Sequence, residues 1–223
     1  TIGRNKHLIP GKVIEHLIQG TENFVSKMNE FGIQIHSGGG ETADVGDIVR
    51  TIDVGITAFG RLQKQNLVIN KIEAGDLIVG LASFGQSIYE SAYNSGIGSN
   101  GLTAARHDVL DKAYANTEES YAPQTLKEYI YTGSFHLSHQ FVTNGQSYRV
   151  GDLLLSPTRT YLPLLKSFVM NNLNTIHGII HCTGGAQTKV KKFIEPLRIV
   201  KNNLFQIPPV FELIRTQSLC SPQ

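Results

Sequence analysis

The sequence predicts a fold of the α/β or α+β class. Segments with helical periodicity, such as residues 11–31, alternate with short apolar runs that predict strands, such as residues 76–82. The chain has 223 residues, of which 40% are hydrophobic, so it can bury one good core or two small ones. Glycine clusters follow several apolar runs, as at residues 38–40 and 184–185. Such loops are candidate cradles for an anion, which predicts a phosphorylated ligand.

The first part of the chain predicts a long helix followed by short strands. Pro10 suits a first helical turn, and Gly32 suits a helix end. Apolar residues between them recur at spacings of three, four and seven, which places them on one helical face. The residues of this face are Val13, Ile14, Leu17, Ile18, Phe24, Val25, Met28 and Phe31. Residues 33–36 then predict a short strand, and the alternating pattern of residues 49–62 predicts one long strand or a hairpin.

Turn-forming residues at positions 70–75 predict a boundary between two domains. We place the first domain at residues 1–72 and the second at residues 73–223. Residues 76–82 follow the boundary as a continuous apolar run, which predicts a strand buried on both faces.

The second domain continues with alternating elements. Residues 101–115 predict a helix, whereas residues 116–150 are polar, rich in Tyr and His, and predicted to be mostly irregular. Residues 159–173 predict a helix, residues 176–182 a strand, and residues 210–217 a last short helix. Another helix is predicted between these last two elements, with inward residues Val190, Phe193, Ile194 and Leu197.

Composition and charge point to no macromolecular partner. The formal net charge of +2 is spread over the chain, so we expect no nucleic-acid partner. No apolar run approaches the roughly 20 residues that cross a membrane, so we expect no membrane partner either. The two cysteines, Cys182 and Cys220, do not make a disulfide framework, which predicts a reduced, cytoplasmic setting. Cys182 ends an apolar run and is expected in the core.

The glycine loop at residues 38–40 begins the first candidate site. A tight loop there would aim Glu41 and Thr42 into a site. Asp44 and Asp47 supply carboxylate oxygens, which are ligands that Mg²⁺ favours beside nucleotide phosphates. The alternative is a surface turn with solvated acidic side chains.

Three further segments carry candidate residues, each with a simpler alternative. In residues 96–101, Ser99 and Asn100 offer polar groups to a ligand, or one of them only caps the next helix. Arg159 falls in a predicted first helical turn, where a cation opposes the helix dipole. A bound phosphate or a buried carboxylate would explain it, unless the side chain is simply exposed. His181 ends a predicted strand, where ligands bind in open sheets, but a lone histidine is more often structural.

Four short segments, taken in order, together resemble one known family. They are Gly-Gly-Glu-Thr-Ala at 39–43, Gly-Ser-Asn-Gly at 98–101, Ser-Pro-Thr-Arg-Thr-Tyr at 156–161 and His-Cys-Thr-Gly-Gly-Ala at 181–186. Their order and spacing resemble the phosphoribosylformylglycinamidine cyclo-ligases, also called aminoimidazole ribonucleotide synthetases. The resemblance extends from Thr1 to about Ser218. Residues 1–7 and 184–190 look most like the longer, divergent branch known from Bacteroidetes-type bacteria.

The resemblance implies a two-domain fold and an ATP-dependent ring closure in de novo purine biosynthesis. Formylglycinamidine ribonucleotide, a phosphorylated small molecule, would be converted to aminoimidazole ribonucleotide. ATP and Mg²⁺ are the implied cofactors, and a cytoplasmic homodimer is the implied assembly. Residues 1–72 would be the end of the N-terminal domain, which carries the ATP site and dimer contacts. Residues 73–223 would be most of the C-terminal domain.

The resemblance also implies roles for individual residues. Glu41 and His181 are the catalytic candidates, and Glu41 and Asp44 are the candidate metal ligands. The expected substrate- or nucleotide-binding residues are Gly39, Gly40, Thr42, Ser99, Asn100, Gly101, Thr158, Arg159, Thr183, Gly184 and Gly185.

Two departures from the family pattern bear on activity. The family commonly has a histidine immediately before Ser-Asn-Gly, where this chain has Gly98. The family's glycine-rich ATP segment, with its aspartate and lysine, would lie before Thr1. We therefore expect the chain to be a fragment that is inactive alone, while its intact parent is the enzyme.

Two alternatives remain open. Other ATP-using members of the superfamily share the fold, namely formylglycinamidine ribonucleotide synthetase, thiamine-phosphate kinase, selenophosphate synthetase and the hydrogenase maturation protein. The pairing of the segments at 156–161 and 181–186 favours the cyclo-ligase. The other alternative is a non-catalytic, truncated copy that only dimerises or binds nucleotide.

Overall fold

The structure, a computed structural model, describes residues 1–99 and 101–218. It contains both helices and strands, which confirms the predicted mixed class. The strands are β1 (Ile2–Arg4), β2 (Thr42–Asp44), β3 (Ile52–Val54), β4 (Gln140–Thr143) and β5 (Gln146–Arg149). The helices are α1 (Gly11–Glu30), α2 (Leu102–Val109), α3 (Val150–Leu154), α4 (Leu162–Asn172) and α5 (Pro209–Gln217). Short 3₁₀ helices span Lys64–Asn66, Lys112–Asn116, Glu118–Ser120, Lys127–Tyr129, Leu173–Thr175 and Ala186–Lys192.

The chain forms two compact units. Unit 1 comprises Thr1–Leu67 and Tyr161–Ile176, and unit 2 comprises Val68–Thr160 and the chain from His177 onward. The assignment of residues 1–72 and 73–223 to the two domains of the family fold stays a prediction. Within the described residues, no helix combines the length and the apolar character that a membrane crossing requires.

Unit 1 contains a three-stranded sheet in the order β2-β1-β3. β1 runs parallel to β2, with Ile2 opposite Thr42, and antiparallel to β3, with Ile2 opposite Val54. A Cβ on Gly3 would lie 2.9 Å from a methyl carbon of Val45. Glycine in the central strand therefore lets the chain after β2 pass close to it.

Helix α1 begins and ends where the sequence predicts. Pro10 precedes its first residue, and Gly32 follows its last turn with a φ of +72°. The amide of Ile33 donates to the carbonyl oxygen of Met28 at 3.0 Å, which satisfies a carbonyl of the final turn. The ammonium group of Lys166, in α4, also donates to the carbonyl oxygen of Gly32. Met28 is buried as predicted.

The main core lies in unit 2, where α2, α3 and α5 pack together beside the β4–β5 hairpin. Its fully buried aliphatic residues include Val109, Val150, Leu153, Leu154, Val210 and Leu213. The antiparallel hairpin turns at Asn144 and Gly145, which have φ values of +51° and +73°. Two successive positive φ values are what a two-residue type I′ turn requires.

The prediction that residues 116–150 are mostly irregular holds outside the hairpin but misses the contribution of the stretch to the core. This stretch contains the hairpin, and its Ile130 and Tyr131 are core residues. The guanidinium of Arg106 lies over the ring of Tyr131, 5.8 Å from its centre, and donates to its hydroxyl at 2.7 Å. Tyr131, one of the tyrosines that made the stretch look polar, therefore buries its ring and satisfies its hydroxyl.

The predicted strands at residues 76–82 and 176–182 are wrong. Both segments are extended without a described ladder, and Leu77 is 91% exposed. Their apolar residues satisfy the sequence pattern of a buried strand, but a strand also needs a neighbour that pairs its backbone groups. Residues 33–36 form no strand, and residues 49–62, predicted as one long strand or a hairpin, contain only the short strand β3.

The helix predictions hold in part. α2 is shorter than predicted, and its Ala105 and Val109 are buried together with the following Leu110. α4 begins at Leu162 rather than at Arg159, and none of its residues is fully buried. The segment near Val190 is the 3₁₀ helix Ala186–Lys192 rather than an α-helix. Helix α5 is confirmed.

Buried His107 is expected to make stability depend on pH. Its Nδ1 lies 3.3 Å from the amide nitrogen of Tyr131, so it accepts that hydrogen bond in the neutral form. Burial lowers the pKa of His107 below its usual value, and the charge of Arg106 lowers it further, while Asp108 opposes them. The unfolded chain, with an ordinary histidine pKa near 6.5, therefore binds the proton first as the pH falls.

The free energy of unfolding should consequently fall as the pH drops below about 6.5, by at most about 1.4 kcal/mol per pH unit from this group. Urea unfolding at pH 7.5, 6.5 and 5.5 measures the slope. His107→Gln removes the titrating group and should flatten it. An equal slope in the variant would show that His107 titrates alike in both states.

Candidate functional site

The glycine loop (residues 96–99 and 101) contains three glycines in backbone conformations that only glycine adopts easily. Gly96, Gly98 and Gly101 have φ values of +78°, +61° and +78°. A Cβ on Gly96 would lie 2.9 Å from the Cβ of Phe84. The carbonyl oxygen of Ser99 faces the first residue of α2, Leu102, whose amide lies 3.4 Å away. Asn100 lies outside the described residues.

The structure brings this loop together with the 156–160 segment. The hydroxyl oxygen of Thr158 lies 3.7 Å from the position that a Cβ on Gly98 would take. The side-chain amide of Asn94 donates to the carbonyl oxygen of Pro157 at 2.9 Å. The amide of Ser95 donates to the hydroxyl of Ser156 at 3.0 Å. Two of the four predicted motifs, about sixty residues apart in sequence, thus meet within unit 2.

Two buried polar residues, Asn94 and Ser95, support the start of the loop. The Ser95 hydroxyl is fully buried and donates to the carbonyl oxygen of Leu153 at 2.6 Å. It also faces the amide of Ile97 at 3.3 Å. The side-chain oxygen of Asn94 accepts from the amide of Gly96 at 2.9 Å. Sequence analysis missed both residues, because buried asparagine and serine carry no local pattern.

Arg159 is held entirely by protein acceptors. Its Nε donates to Glu90 at 2.8 Å, and its Nη2 donates to the other Glu90 oxygen at 2.5 Å. The remaining N–H groups donate to the carbonyl oxygens of Ala82, Phe84 and Gly85 at 2.8, 2.9 and 2.9 Å. These contacts use all five guanidinium donors. Of the two expected partners, a phosphate and a buried carboxylate, the structure therefore shows a largely buried carboxylate.

The placement of Arg159 in a first helical turn is wrong, because α4 starts three residues later. The helix dipole argument therefore does not apply. The side chains of Arg159 and Glu90 are only 8% and 14% exposed. Burial by itself raises the pKa of Glu90, but hydrogen bonds from Arg159 and from the amide of Ser87 outweigh it and lower the pKa. Glu90 is the clearest residue that sequence analysis missed.

The loop at residues 38–40 lies in unit 1 and is exposed. Gly39 has a φ of +87°, and a Cβ on Gly38, Gly39 or Gly40 would meet nothing within 4 Å. The carbonyl oxygen of Glu41 accepts from the amide of Ile2 at 2.9 Å. Pairing of the next residues in β2 with β1 fixes where the loop ends. The loop is therefore open to a ligand on several sides.

The predicted metal ligands Glu41 and Asp44 do not form a site by themselves. Asp44 is paired with Lys6, whose ammonium group lies 3.0 Å from the carboxylate and whose amide lies 3.2 Å away. These hydrogen bonds lower the pKa of Asp44. Residues three apart on an extended chain are expected on opposite faces. No group of three or more acidic, His or Cys side chains that could hold a metal occurs in the described parts of the chain.

The last predicted motif, residues 181–185, is exposed in unit 2. The amide of Thr183 donates to the carbonyl oxygen of His181 at 3.0 Å, and the Lys189 ammonium lies 3.1 Å from the Thr183 hydroxyl. Gly185 has a φ of +83° and precedes the 3₁₀ helix, while Gly184 has open space around it. Cys182 is exposed, so its expected place in the core is wrong.

Comparison with known proteins supports the resemblance. No family model matches the chain. It is 29% identical over 180 residues to the phosphoribosylformylglycinamidine cyclo-ligase of Methanocaldococcus jannaschii, covering 79% of this chain and 41% of that protein. It is 29% identical over 216 residues to the cyclo-ligase of Methanococcus vannielii, covering 94% and 51%. For the cyclo-ligase of Syntrophus aciditrophicus the identity is 27% over 212 residues, covering 91% and 49%.

The chain spans about half the length of the curated relatives it matches. The match to a Bacteroidetes-type branch stays a prediction. The relatives agree in name, and the matched residues include most of this chain. The chain is therefore a relative of the phosphoribosylformylglycinamidine cyclo-ligases, as its four motifs predict.

Proposed function

We propose that the protein takes part in the ATP-dependent closure of an imidazole ring, converting formylglycinamidine ribonucleotide to aminoimidazole ribonucleotide. The observation that carries this proposal is the meeting of the glycine loop with Thr158. The relatives that the chain matches are named as cyclo-ligases. Their name supports the proposal that the residues where the loop meets Thr158 bind the substrate of this reaction. We assign the activity to the natural protein that contains this sequence, and the experiments below use that protein.

The reaction needs an oxygen to become a leaving group. The formyl amide oxygen of the substrate attacks the γ-phosphorus of ATP, and ADP leaves. A nitrogen of the amidine then attacks the activated carbon, phosphate departs with the former amide oxygen, and loss of a proton completes the ring. Positioning and charge stabilisation are the main tasks of a protein in such a phosphoryl transfer.

The residues of unit 2 suit the binding of a phosphorylated substrate. Ser99 and Thr158 offer hydroxyl groups beside the glycine loop, and the absence of side chains at Gly98 and Gly101 lets backbone amides approach a phosphate. Arg159 binds protein acceptors, so its role is to position the loop rather than to contact phosphate. The exposed Thr183, Gly184 and Gly185 remain proposed ligand contacts.

In unit 1, the exposed Glu41 is the proposed catalytic carboxylate, and Gly39, Gly40 and Thr42 are its proposed neighbours in ligand binding. His181, in unit 2, is the second proposed proton-transfer group, and it has the exposure that such a role requires. Mg²⁺ is expected because cyclo-ligases use ATP, but Glu41 and Asp44 do not fit it without further ligands. We therefore assign no step of the reaction to a metal held by this chain. A cytoplasmic homodimer is proposed on the resemblance alone.

The test follows aminoimidazole ribonucleotide formation by the natural protein from ATP and formylglycinamidine ribonucleotide. Glu41→Gln should lower kcat/KM by about 100-fold or more, because a carboxylate that transfers a proton or stabilises charge contributes at least that much. Glu22→Gln, at an exposed position of α1, is the matched control and should leave the rate unchanged.

Absence of product from a folded natural protein supplied with both substrates would overturn the proposed reaction. Full activity of Glu41→Gln would leave the reaction standing but would remove Glu41 from it. A product formed from a different phosphate acceptor would move the assignment to another ATP-using member of the superfamily.

A further inference from the structure

Glu90 has no role in the four motifs, yet it lies at the start of a continuous set of contacts that ends at the glycine loop. It holds Arg159 through two hydrogen bonds of 2.8 and 2.5 Å. Arg159 in turn binds the carbonyl oxygens of residues 82–85. The pair therefore fixes the backbone of that segment rather than a single side chain.

Gly85, one of the residues that Arg159 holds, is bonded in turn to Asn94. Their amides and carbonyls exchange hydrogen bonds of 2.9 and 2.8 Å, which form an isolated antiparallel bridge. The Asn94 side chain then accepts from the amide of Gly96, the first residue of the glycine loop. From Glu90 to Gly96, each step is a direct hydrogen bond.

A second set of contacts fastens the same region to the 156–160 segment. The Tyr89 hydroxyl donates to the carbonyl oxygen of Thr160 at 3.0 Å. Asn94 and Ser95 contact Pro157 and Ser156 in the same way. Together with Arg159, these contacts set the separation between the two motifs.

The loop needs such external support, because glycine residues at positive φ carry more backbone freedom than any other residue type. A loop that is ordered before the ligand arrives spares the free energy of ordering at the binding step. The support comes from protein groups alone, since the Glu90 and Arg159 side chains are largely buried and their hydrogen bonds go to protein acceptors and donors.

We propose that Glu90 is a positioning residue of the cyclo-ligase site, which through Arg159 holds the glycine loop beside Thr158 in the arrangement that binds the phosphorylated substrate. This inference rests on the proposed function. Glu90 itself does not touch the substrate. It acts by keeping the loop and the 156–160 segment together, so its removal should weaken substrate binding more than it slows the chemistry.

The test measures steady-state kinetics of the natural protein with Glu90→Gln, which keeps the shape of the side chain and removes its charge. We expect the KM for formylglycinamidine ribonucleotide to rise about tenfold while kcat and the KM for ATP stay within about twofold, the pattern of lost ground-state binding. Glu90→Asp keeps the charge and should give a smaller rise. Asp152→Asn is the matched control, because it breaks the exposed Arg149–Asp152 pair of the same unit.

If Glu90→Gln does not fold, Tyr89→Phe provides a second test of the same set of contacts. It removes one contact with the 156–160 segment and should raise the same KM by a few fold. Hydrogen exchange of the Gly96 and Gly98 amides provides a second readout, which should quicken in both variants and not in Asp152→Asn.

The outcomes separate this inference from the proposed function. Unchanged KM values in a folded Glu90→Gln protein, or an equal change for ATP and for formylglycinamidine ribonucleotide, would overturn the positioning role while the reaction stands. An inactive wild-type protein would overturn both. A selective rise in the substrate KM that Glu90→Asp partly restores would support the inference.

Discussion

Gly133→Ala is expected to destabilise unit 2 by about 3 kcal/mol or more, at or beyond the upper end of the usual cost of overpacking. A Cβ on Gly133 would lie 2.2 Å from both the carbonyl carbon and the carbonyl oxygen of Val109, and 2.4 Å from the oxygen of Asp108. These are backbone atoms at the end of α2, so no side-chain rotation relieves the clash. Val109 is fully buried, and the amide of Gly133 donates to Leu110 at 3.1 Å.

Urea unfolding of the chain measures the effect, with Gly184→Ala as the control in the same unit. A Cβ on Gly184 meets nothing within 4 Å, and its φ is not left-handed, so its free energy of unfolding should change by about 0.5 kcal/mol or less. Equal stabilities of the two variants would show that the chain at residue 133 does not approach α2 so closely.

Gly133 also shows where sequence reasoning reaches its limit. Nothing local distinguishes it from a surface glycine, since its requirement comes from Val109, far away in the sequence. The Asn144–Gly145 pair is different, because this dipeptide is a strong hairpin signal by itself. The hairpin was therefore predictable, but it was missed because the polar composition of residues 116–150 favoured an irregular structure. Helix α1 was correctly predicted because periodicity, Pro10 and Gly32 all agree.

The candidate site also contains some residues that the sequence predicts and others that it does not. The motifs at 98–101 and 156–161 were found from sequence, and the structure places Gly98 beside Thr158. The unusual position of Arg159 predicted a hidden partner, although the helix argument behind it was wrong. Sequence could not identify that partner as Glu90, because 69 residues separate the two and only the fold brings them together. The apolar residues 76–82 mislead for the opposite reason, since composition cannot supply the pairing that a strand requires.

Arg159→Ala is expected to have the second large effect, a loss of about 3–5 kcal/mol from the free energy of unfolding of unit 2. The substitution leaves the Glu90 carboxylate without its cation in a site where the two side chains are 8% and 14% exposed. It also removes the donors that satisfy the carbonyl oxygens of Ala82, Phe84 and Gly85. The cost is therefore that of an unpaired buried charge together with lost hydrogen bonds, rather than that of one salt bridge.

Arg149→Ala is the matched control, because Arg149 pairs with Asp152 at 2.5 Å, close to the distance between Arg159 and Glu90. The side chains of Arg149 and Asp152 are 55% and 62% exposed, so water replaces the lost contact and the free energy of unfolding should hardly change. Two arginine deletions that break ion pairs of the same length thus separate the effect of burial from that of contact distance. Equal losses in the two variants would mean that burial of the Glu90–Arg159 pair does not govern its strength.

The difference in free energy of unfolding between wild type and Arg159→Ala should also depend on pH, and it should become smaller as the pH falls. The folded protein holds the pKa of Glu90 below its usual value of 4.5, so the folded state binds fewer protons than the unfolded state as the pH falls. The stabilisation is therefore fully present above about pH 4.5 and is lost as the pH falls through the folded pKa of Glu90. Chemical unfolding at pH 7 and near pH 3.5 should show the gap narrowing on acidification. A gap that stayed constant would place its origin in the three carbonyl contacts, which do not titrate, rather than in the charge of Glu90.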